Sequence, residues 1–471
     1  MVFSSVEFLF LFLPIFLFAQ SLLPYRNLVF AVFSVFFYFV GEGWYTAIVL
    51  ISATANYGFG RLIDRQNHPG ARKWMLALGI TTNILPLLYY KYAWFLLKTA
   101  APGMIGSEST APHLPLGISF FTFHAISYLT DIYRRDARAE RSFTNLALYI
   151  LMFPQLIAGP ILRFHTIAGQ LRRRVISLRH LYFGFTLFCF GIGQKTLIAD
   201  PMAAIADPLF ARTLELNSLE AWIASITYTL QIYFDFSGYS NMAIGLGWMT
   251  GFHFPKNFNF PYISTSITEF WRRWHMSLSQ WFRDYLYIPL GGNRGSKLKT
   301  YRNLFIVFLL CGFWHGASWT FVVWGAYHGA LLVAERIGLD KWLTPTPKLM
   351  QHGYALLAIV IGWVIFRATT LQEAGAVIRS LFVWNAPSID ILWQAFNAER
   401  ILAAVLALTF VSPILIQRVR RLIAIPMVGD WPRHASMTSY VLGGGLALVT
   451  LLLATVKIMG GAYSPFIYFR F

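Results

Sequence analysis

The chain has 471 residues, of which 57% are hydrophobic, 17% aromatic and 12% charged, and its formal net charge is +18. Soluble globular proteins carry about 25% charged residues, and disordered chains contain few aromatic residues, so both classes are excluded. The class that remains is a polytopic membrane protein.

Apolar segments long enough to cross a membrane follow one another along the chain. A crossing needs about 20 mostly apolar residues, so we predict an all-α fold with about ten or eleven transmembrane helices, plus re-entrant and interfacial helices. No separate hydrophilic domain is visible, which predicts one membrane domain over residues 1–471. The candidate segments lie near residues 6–24, 27–40, 44–60, 74–99, 115–133, 143–162, 181–199, 220–250, 303–335, 350–367, 400–417 and 437–458.

Basic residues are concentrated in short loops between these apolar segments. They gather at Arg61–Lys73, Arg134–Arg141 and Arg172–Arg174. This distribution is typical of a membrane protein whose basic loops face the cytoplasm and contact anionic membrane lipids. We therefore expect no nucleic-acid partner.

The apolar segment 143–162 lies between two of these basic clusters and contains PQLIAGPI at 154–161. A full crossing would place the clusters on opposite sides of the membrane, against the usual bias. A re-entrant, broken segment would keep them on one side, and such backbone is tolerated where protein or a water-filled cavity surrounds it. We predict that residues 150–162 line a cavity; a kinked full span is the alternative.

Residues 252–302 form a polar and aromatic insert that predicts an interfacial amphipathic helix over about 267–286. Successive residues of a helix are rotated by about 100° about its axis, which places His275 at the border between the two faces of this helix. The N-cap candidates of this helix are Ser264, Thr265, Ser266 and Thr268. The aromatic face of the helix holds Trp271, Trp274, Leu278, Trp281, Phe282 and Tyr285, and the polar face holds Arg272, Arg273, Gln280 and Arg283.

Ionisable residues inside apolar segments are energetically costly, so each is a functional candidate. His315 lies between Gly312 and Gly316, and small neighbours leave room for a substrate. If both residues lay on one straight helix, His328 would be about 20 Å from His315 along the axis and on nearly the opposite face. This separation predicts a structural role for His328. His275 could reach His315 in three dimensions, whereas a buried, hydrogen-bonded histidine is the alternative interpretation of His315.

The remaining buried candidates are not arranged for metal or nucleotide chemistry. The segment with Asp235, Ser237 and Tyr239 predicts a buried hydrogen-bond network or a polar cavity wall. The sequence contains no metal-ligand spacing, P-loop or hydrolase nucleophile motif. We therefore expect no metal and no permanently bound cofactor.

Four motifs in this order resemble the membrane-bound O-acyltransferase (MBOAT) family, in its bacterial AlgI-type branch of polysaccharide O-acetyltransferase membrane subunits. The motifs are PQLIAGPI (154–161), YFDFSGYSNMAIG (233–245), FWRRWHMSLSQWFRDYLYIPLGG (270–292) and FWHGASWTFVVWGAYHG (313–329). The resemblance covers nearly the whole chain.

The resemblance implies an O-acetyltransferase with a helical funnel, in which a cytoplasmic thioester, expected to be acetyl-CoA, meets an extracytoplasmic acceptor. It implies catalytic roles for His315, as general base or covalent relay, and for His275. We expect the substrate to be bound by Gln155, Asp235, Ser237, Tyr239 and Trp314.

The resemblance also implies localisation in the bacterial inner membrane, a periplasmic SGNH-type acetyltransferase as partner, and a polysaccharide synthesis and export complex. His124 and Asn241 depart from the pattern of the branch, which leaves alginate, cellulose or another exopolysaccharide open. The alternatives are D-alanyl transfer to teichoic acid, or a non-catalytic transporter or scaffold.

Overall fold

The computed structural model describes residues 2–101, 111–157, 159–384, 395–423, 436–461 and 466–467, and its regular secondary structure in these ranges is helical. The all-α prediction is therefore confirmed. The α-helices, in chain order, are α1 (Leu13–Leu22), α2 (Arg26–Glu42), α3 (Thr46–Arg65), α4 (Pro69–Leu87), α5 (Ala93–Ala100), α6 (Ile118–Arg134), α7 (Phe143–Leu151), α8 (Phe153–Leu156), α9 (Phe164–Arg172), α10 (Leu178–Gly193), α11 (Asp200–Phe210), α12 (Ser218–Met249), α13 (Ile267–Arg273), α14 (Met276–Phe282), α15 (Lys297–His315), α16 (Trp319–Ala334), α17 (Asp340–Leu343), α18 (Lys348–Arg367), α19 (Leu371–Phe382), α20 (Ala398–Phe410), α21 (Pro413–Leu422) and α22 (Met437–Met459).

Several helical stretches are long and apolar enough to cross a membrane, as expected for a multi-pass membrane protein. Among the described residues four meet this test by length and composition: Arg26–Arg65, Leu178–Phe210, Lys348–Arg367 and Met437–Met459. A fifth would be α20 with the start of α21, which are bent by 88°. The predicted number of ten or eleven crossings stays a prediction, because many apolar segments are divided into shorter helices.

The chain forms two compact units, and the first comprises Met1–Phe188 and Ser240–Pro255. Its core contains a cluster of phenylalanine rings around Phe153, the first residue of α8. The centroid of that ring lies 5.2 Å from Phe12, 5.1 Å from Phe16 and 5.5 Å from Phe30. These contacts bury α8 among apolar side chains and hold it beside α1 and α2.

The apolar segment 143–162 is broken, as predicted. Helix α7 has nine residues and ends at Leu151, and α8 has four. A nine-residue helix rises only about 14 Å, whereas the hydrocarbon core is about 30 Å thick. Neither helix can therefore cross the membrane by itself.

The two ends of this excursion lie close together. The side-chain amide of Asn27 donates to Asn145 Oδ1 and to the Leu171 carbonyl, each at 2.7 Å. Arg172 Nε lies 3.8 Å from Glu140 Oε2, which joins the two basic clusters. Both clusters are therefore at the same end of the segment, as a re-entrant path requires. Residue 158 lies outside the described residues, and the cavity along 150–162 stays a prediction.

The second unit comprises Cys189–Tyr239 and Lys256–Phe471, and it contains both predicted catalytic histidines. Within it, α15 and α16 pack closely as an antiparallel pair. A Cβ added at Gly312 would collide with the Phe321 carbonyl oxygen and lie 2.8 Å from the Gly325 Cα. The two backbones are thus in direct contact, and glycine at both positions permits it.

The reversal between α15 and α16 corrects one expectation. The apolar segment 303–335 is not a straight helix, because the chain turns between His315 and Trp319. A single domain over 1–471 and an interfacial position of the insert 252–302 stay predictions.

Candidate functional site

His275 lies at a break between two short helices. Helix α13 ends at Arg273 and α14 begins at Met276, so the continuous helix predicted over 267–286 is wrong. His275 has φ 42° and ψ 53°, a left-handed conformation that is uncommon for residues other than glycine. Residues held in such conformations by their surroundings cluster at functional sites.

Asn257 holds this break in place. Its backbone carbonyl accepts a hydrogen bond from the Met276 amide at 2.9 Å. Its Oδ1 accepts from the Ser277 amide at 3.2 Å and from Ser277 Oγ at 2.8 Å. The first amides of α14 are thereby satisfied by one residue of the preceding loop. Asn257 is not among the residues predicted above, because its only signal in the sequence is that of a polar residue in the aromatic stretch KNFNF.

The side chain of His275 is fully buried and bonded through one nitrogen. Its Nδ1 lies 3.2 Å from Asn257 Oδ1. Because that oxygen already accepts from the Ser277 amide, it is an acceptor, and Nδ1 must carry the proton and donate. Burial lowers the pKa of His275 to about 3, which keeps the ring neutral at physiological pH.

The other nitrogen of His275 therefore has a free lone pair. Among the residues that the structure describes, none forms a hydrogen bond with Nε2 of His275, although this atom is buried. Buried polar atoms are normally satisfied, so Nε2 is available to a bound water molecule or ligand. Nε2 can accept a hydrogen bond or a proton from a bound hydroxyl group.

Helix α13, which leads into His275, is held at its N-terminus by two carboxylates. Ser266 caps it, as one of the four expected N-caps, by accepting from the Glu269 amide at 3.0 Å. Glu335, which directly follows α16, accepts from the amides of Ile267 at 2.7 Å and Thr268 at 2.9 Å. The Glu269 carboxylate in turn accepts from the Thr265 amide at 2.9 Å. These bonds satisfy the free amides of the first turn and fix the helix against α16.

His315 is the last residue of α15 and is 6% exposed. Three aromatic rings surround its imidazole. Their centroids lie 4.8 Å away for Trp314, 5.1 Å for Trp324 and 5.2 Å for Phe366. The aromatic walls orient the ring and exclude water. Trp324 and Phe366 were not predicted, because they come from α16 and α18.

The structural role predicted for His328 stays a prediction, but the geometry on which it was based differs from the structure. The Trp324 ring, one turn before His328 on α16, lies 4.9 Å from the His328 ring and, because the hairpin folds α16 back along α15, 5.1 Å from the His315 ring. The straight-helix separation of His328 from His315 is therefore wrong. Trp271 Nε1 donates to His328 Nδ1 at 3.4 Å, and a Cβ at Gly362 would lie 2.7 Å from His328 Nε2. His328, on α16, thus packs against α13 and α18.

His275 and His315 belong to one cluster of aromatic side chains in the second unit. Trp274 lies 4.7 Å from Trp363, and Trp363 lies 5.6 Å from Phe366, which packs against His315. Two motifs that are far apart in the sequence therefore meet in one core. A direct approach of the two imidazoles stays a prediction.

Asp235 is bonded to the protein itself. Its Oδ1 lies 2.8 Å from Lys195 Nζ, which also contacts Asp200 at 2.6 Å. Its Oδ2 accepts from the Ile467 amide at 2.7 Å. Lys195, a cation inside an apolar segment, is not among the residues predicted above. These bonds match the predicted buried network and tie the chain near its C-terminus to α12.

The other predicted substrate-binding residues are Tyr239, Trp314 and Ser237 in the second unit and Gln155 in the first. Tyr239 stacks on Phe466 at 4.6 Å, and Trp314 packs beside His315. Ser237 Oγ is buried and has no hydrogen-bond partner in the described ranges. In the first unit, the Gln155 side-chain amide donates to the Tyr149 carbonyl. Substrate binding by these residues stays a prediction.

Comparisons with known proteins agree with these motifs. The family model described as "MBOAT, membrane-bound O-acyltransferase family" matches residues 75–372. The chain is 41% identical to "Probable alginate O-acetylase AlgI" of Azotobacter vinelandii, with all of both chains covered.

Two further relatives carry other names. The chain is 36% identical to "Peptidoglycan O-acetyltransferase" of Helicobacter pylori over 83% of this chain and 81% of the relative. It is 29% identical to "Teichoic acid D-alanyltransferase" of Bacillus subtilis over 60% of this chain and 73% of the relative.

Proposed function

Because the chain belongs to the membrane-bound O-acyltransferase family, we propose that it transfers an acetyl group from a cytoplasmic thioester, acetyl-CoA, for O-acetylation of an exported polysaccharide. The enzyme is an acyltransferase and a multi-pass membrane protein. The observation that carries the proposal is the buried lone pair on His275 Nε2, in the same aromatic core as His315.

In this reaction His315 transfers the proton and His275 positions the acceptor. His315 takes the proton from an acceptor hydroxyl, whose oxygen attacks the thioester carbonyl carbon. The tetrahedral intermediate collapses with cleavage of the carbon–sulfur bond, and the leaving thiolate receives the proton from His315. The products are an acetyl ester and a thiol.

His275 positions the acceptor. With its proton on Nδ1, the ring cannot donate from Nε2 to a thioester carbonyl, but it can accept a hydrogen bond from the incoming hydroxyl. This arrangement favours a contact with the acceptor over the alternative contact with the donor. A covalent acetyl-His315 intermediate is the second route, and rapid acid quenching with labelled donor would detect it as label on the protein.

The immediate acceptor that we propose is a hydroxyl on a periplasmic SGNH-type acetyltransferase, within a polysaccharide synthesis and export complex of the bacterial inner membrane. The relatives named for alginate and peptidoglycan O-acetylation support acetyl transfer to a polymer of the cell envelope. D-alanyl transfer is the alternative, supported by a relative of lower identity. Acetyl, propionyl and D-alanyl thioesters offered in parallel would separate these donors.

The test uses membranes supplied with labelled acetyl-CoA and the partner protein. His315→Ala should fold normally and lose at least about 100-fold in acetyl transfer, the lower range for a general acid–base group. His113→Ala, which removes a half-exposed imidazole in the first unit, should leave transfer unchanged. Wild-type transfer by His315→Ala would remove this residue from the mechanism.

A further inference from the structure

The first unit contains an open, strongly basic cavity of about 960 Å³. Arginines supply its charged lining, and none of the described residues that line it is acidic. Arg26 comes from the start of α2, and Arg172, Arg173 and Arg174 follow one another at the end of α9. Guanidinium groups match the planar geometry of phosphate oxygens, and a cavity lined by one sign of charge concentrates ions of the opposite sign.

Arg174 is fixed in the cavity wall with donors to spare. Its Nε donates to the Thr250 carbonyl at 2.9 Å and its Nη1 to Asn27 Oδ1, while its guanidinium carbon lies 4.3 Å from the Phe252 ring centroid. Among the described residues, none accepts a hydrogen bond from its buried Nη2. Such a pre-positioned, unsatisfied donor suits an anionic ligand.

The arginines also repel one another. Burial, followed by the charge of Arg26, lowers the pKa of Arg174 to about 10. Arg172 forms a long contact to Glu140, at 3.8 Å. A bound anion would relieve this like-charge crowding.

We propose that this cavity is a binding site for a phosphate-bearing ligand, held by Arg26, Arg173 and Arg174. Arg172–Arg174 belong to the basic cluster that predicts the cytoplasmic side, where a nucleotide-bearing thioester would arrive. The volume accommodates a ligand much larger than a single phosphate. Coenzyme A, with its 3′-phosphate and diphosphate, is therefore the ligand that we expect; this choice rests on the proposed acetyl-CoA donor, whereas phosphate binding itself does not.

The test measures coenzyme A binding by calorimetry, with the full chain in nanodiscs of uncharged phosphatidylcholine. Arg26→Gln and Arg173→Gln should each weaken binding about tenfold, as expected for one lost hydrogen bond to a charged group. Both side chains are exposed, so the variants should fold. Arg65→Gln removes an exposed arginine outside the cavity and should bind like the wild type.

A second arm distinguishes the nucleotide from a lipid headgroup. Nanodiscs containing phosphatidylglycerol are analysed by native mass spectrometry for retained lipid. Loss of phosphatidylglycerol in the two variants, with coenzyme A binding unchanged, would assign the site to a phospholipid. Wild-type retention of both ligands in both variants would overturn the proposal. Because binding needs no turnover, the same titration in His315→Ala separates this result from a failure of the proposed reaction.

Discussion

Asn257 determines which nitrogen of His275 carries the proton. The imidazole can act through Nε2 only while Asn257 Oδ1 accepts from Nδ1, and the same amide oxygen closes the break before α14. Positioning and backbone geometry thus depend on one side chain. Without the Asn257 side chain, the His275 imidazole could carry its proton on either Nδ1 or Nε2.

Asn257→Ala should lower kcat about ten- to a hundredfold, the effect expected from the lost hydrogen bond to His275, with little change in KM. Asn257→Asp keeps an acceptor oxygen and should recover much of this loss. Steady-state kinetics on purified protein would measure both, and Asn293→Ala, an exposed position, is the matched control. Equal kcat in Asn257→Ala and wild type would contradict the positioning role.

At the scale of single residues, the sequence pointed to His275 and His315 as candidates for the chemistry but not to the residues that contact and orient the candidate side chains. His275 and His315 were identified because they stand in recognisable motifs. Asn257 precedes His275 by 18 residues, and Lys195 reaches Asp235 from another helix. Contacts between such distant positions leave no periodic pattern in the chain.

Among the helices, the α15–α16 pair decides where the His315 ring lies. The glycine contact of this pair brings Trp324 against the imidazole. Hydropathy is continuous over 303–335 and contains no signal for the reversal, so the segment was predicted as one apolar stretch. The aromatic spacing of 267–286 likewise continues across His275 and hides that break.

Gly312→Ala should push α15 away from α16, since the new methyl group would meet backbone atoms of Phe321 and Gly325. We expect a loss of about 1–3 kcal/mol in the free energy of unfolding and a clear fall in acetyl transfer. Thermal unfolding in detergent, read with the activity assay, measures both. Gly353→Ala, where a Cβ meets nothing within 4 Å, should be neutral or stabilising. Equal behaviour of the two variants would contradict the close packing.

For the molecule as a whole, the charge distribution makes a prediction about membrane topology that hydropathy alone does not make. Basic clusters indicated that 143–162 returns to its starting side, and the shared contacts of Asn27 agree with this. The number of crossings could not be read from hydropathy, because π-helical and broken turns divide the apolar segments.

Single cysteines at Arg138 and Arg173, both exposed, should be labelled from the same side of the membrane. The chain's own Cys189 and Cys311 are buried, which keeps the background low. In intact cells an impermeant maleimide should modify neither position, and permeabilisation should expose both. Labelling of one position but not the other in intact cells would establish a full crossing.

The discontinuity of the first unit has a consequence for biogenesis. The ribosome delivers Arg26 and Arg172–Arg174 early, but Thr250 and Gly251 emerge only after residues 189–239, which belong to the other unit. Because domains fold from the N-terminus during synthesis, the basic cavity of the first unit is incomplete until α12 and the residues that follow it have been synthesised. A nascent chain arrested before residue 250 would display its arginines without the carbonyl that holds Arg174.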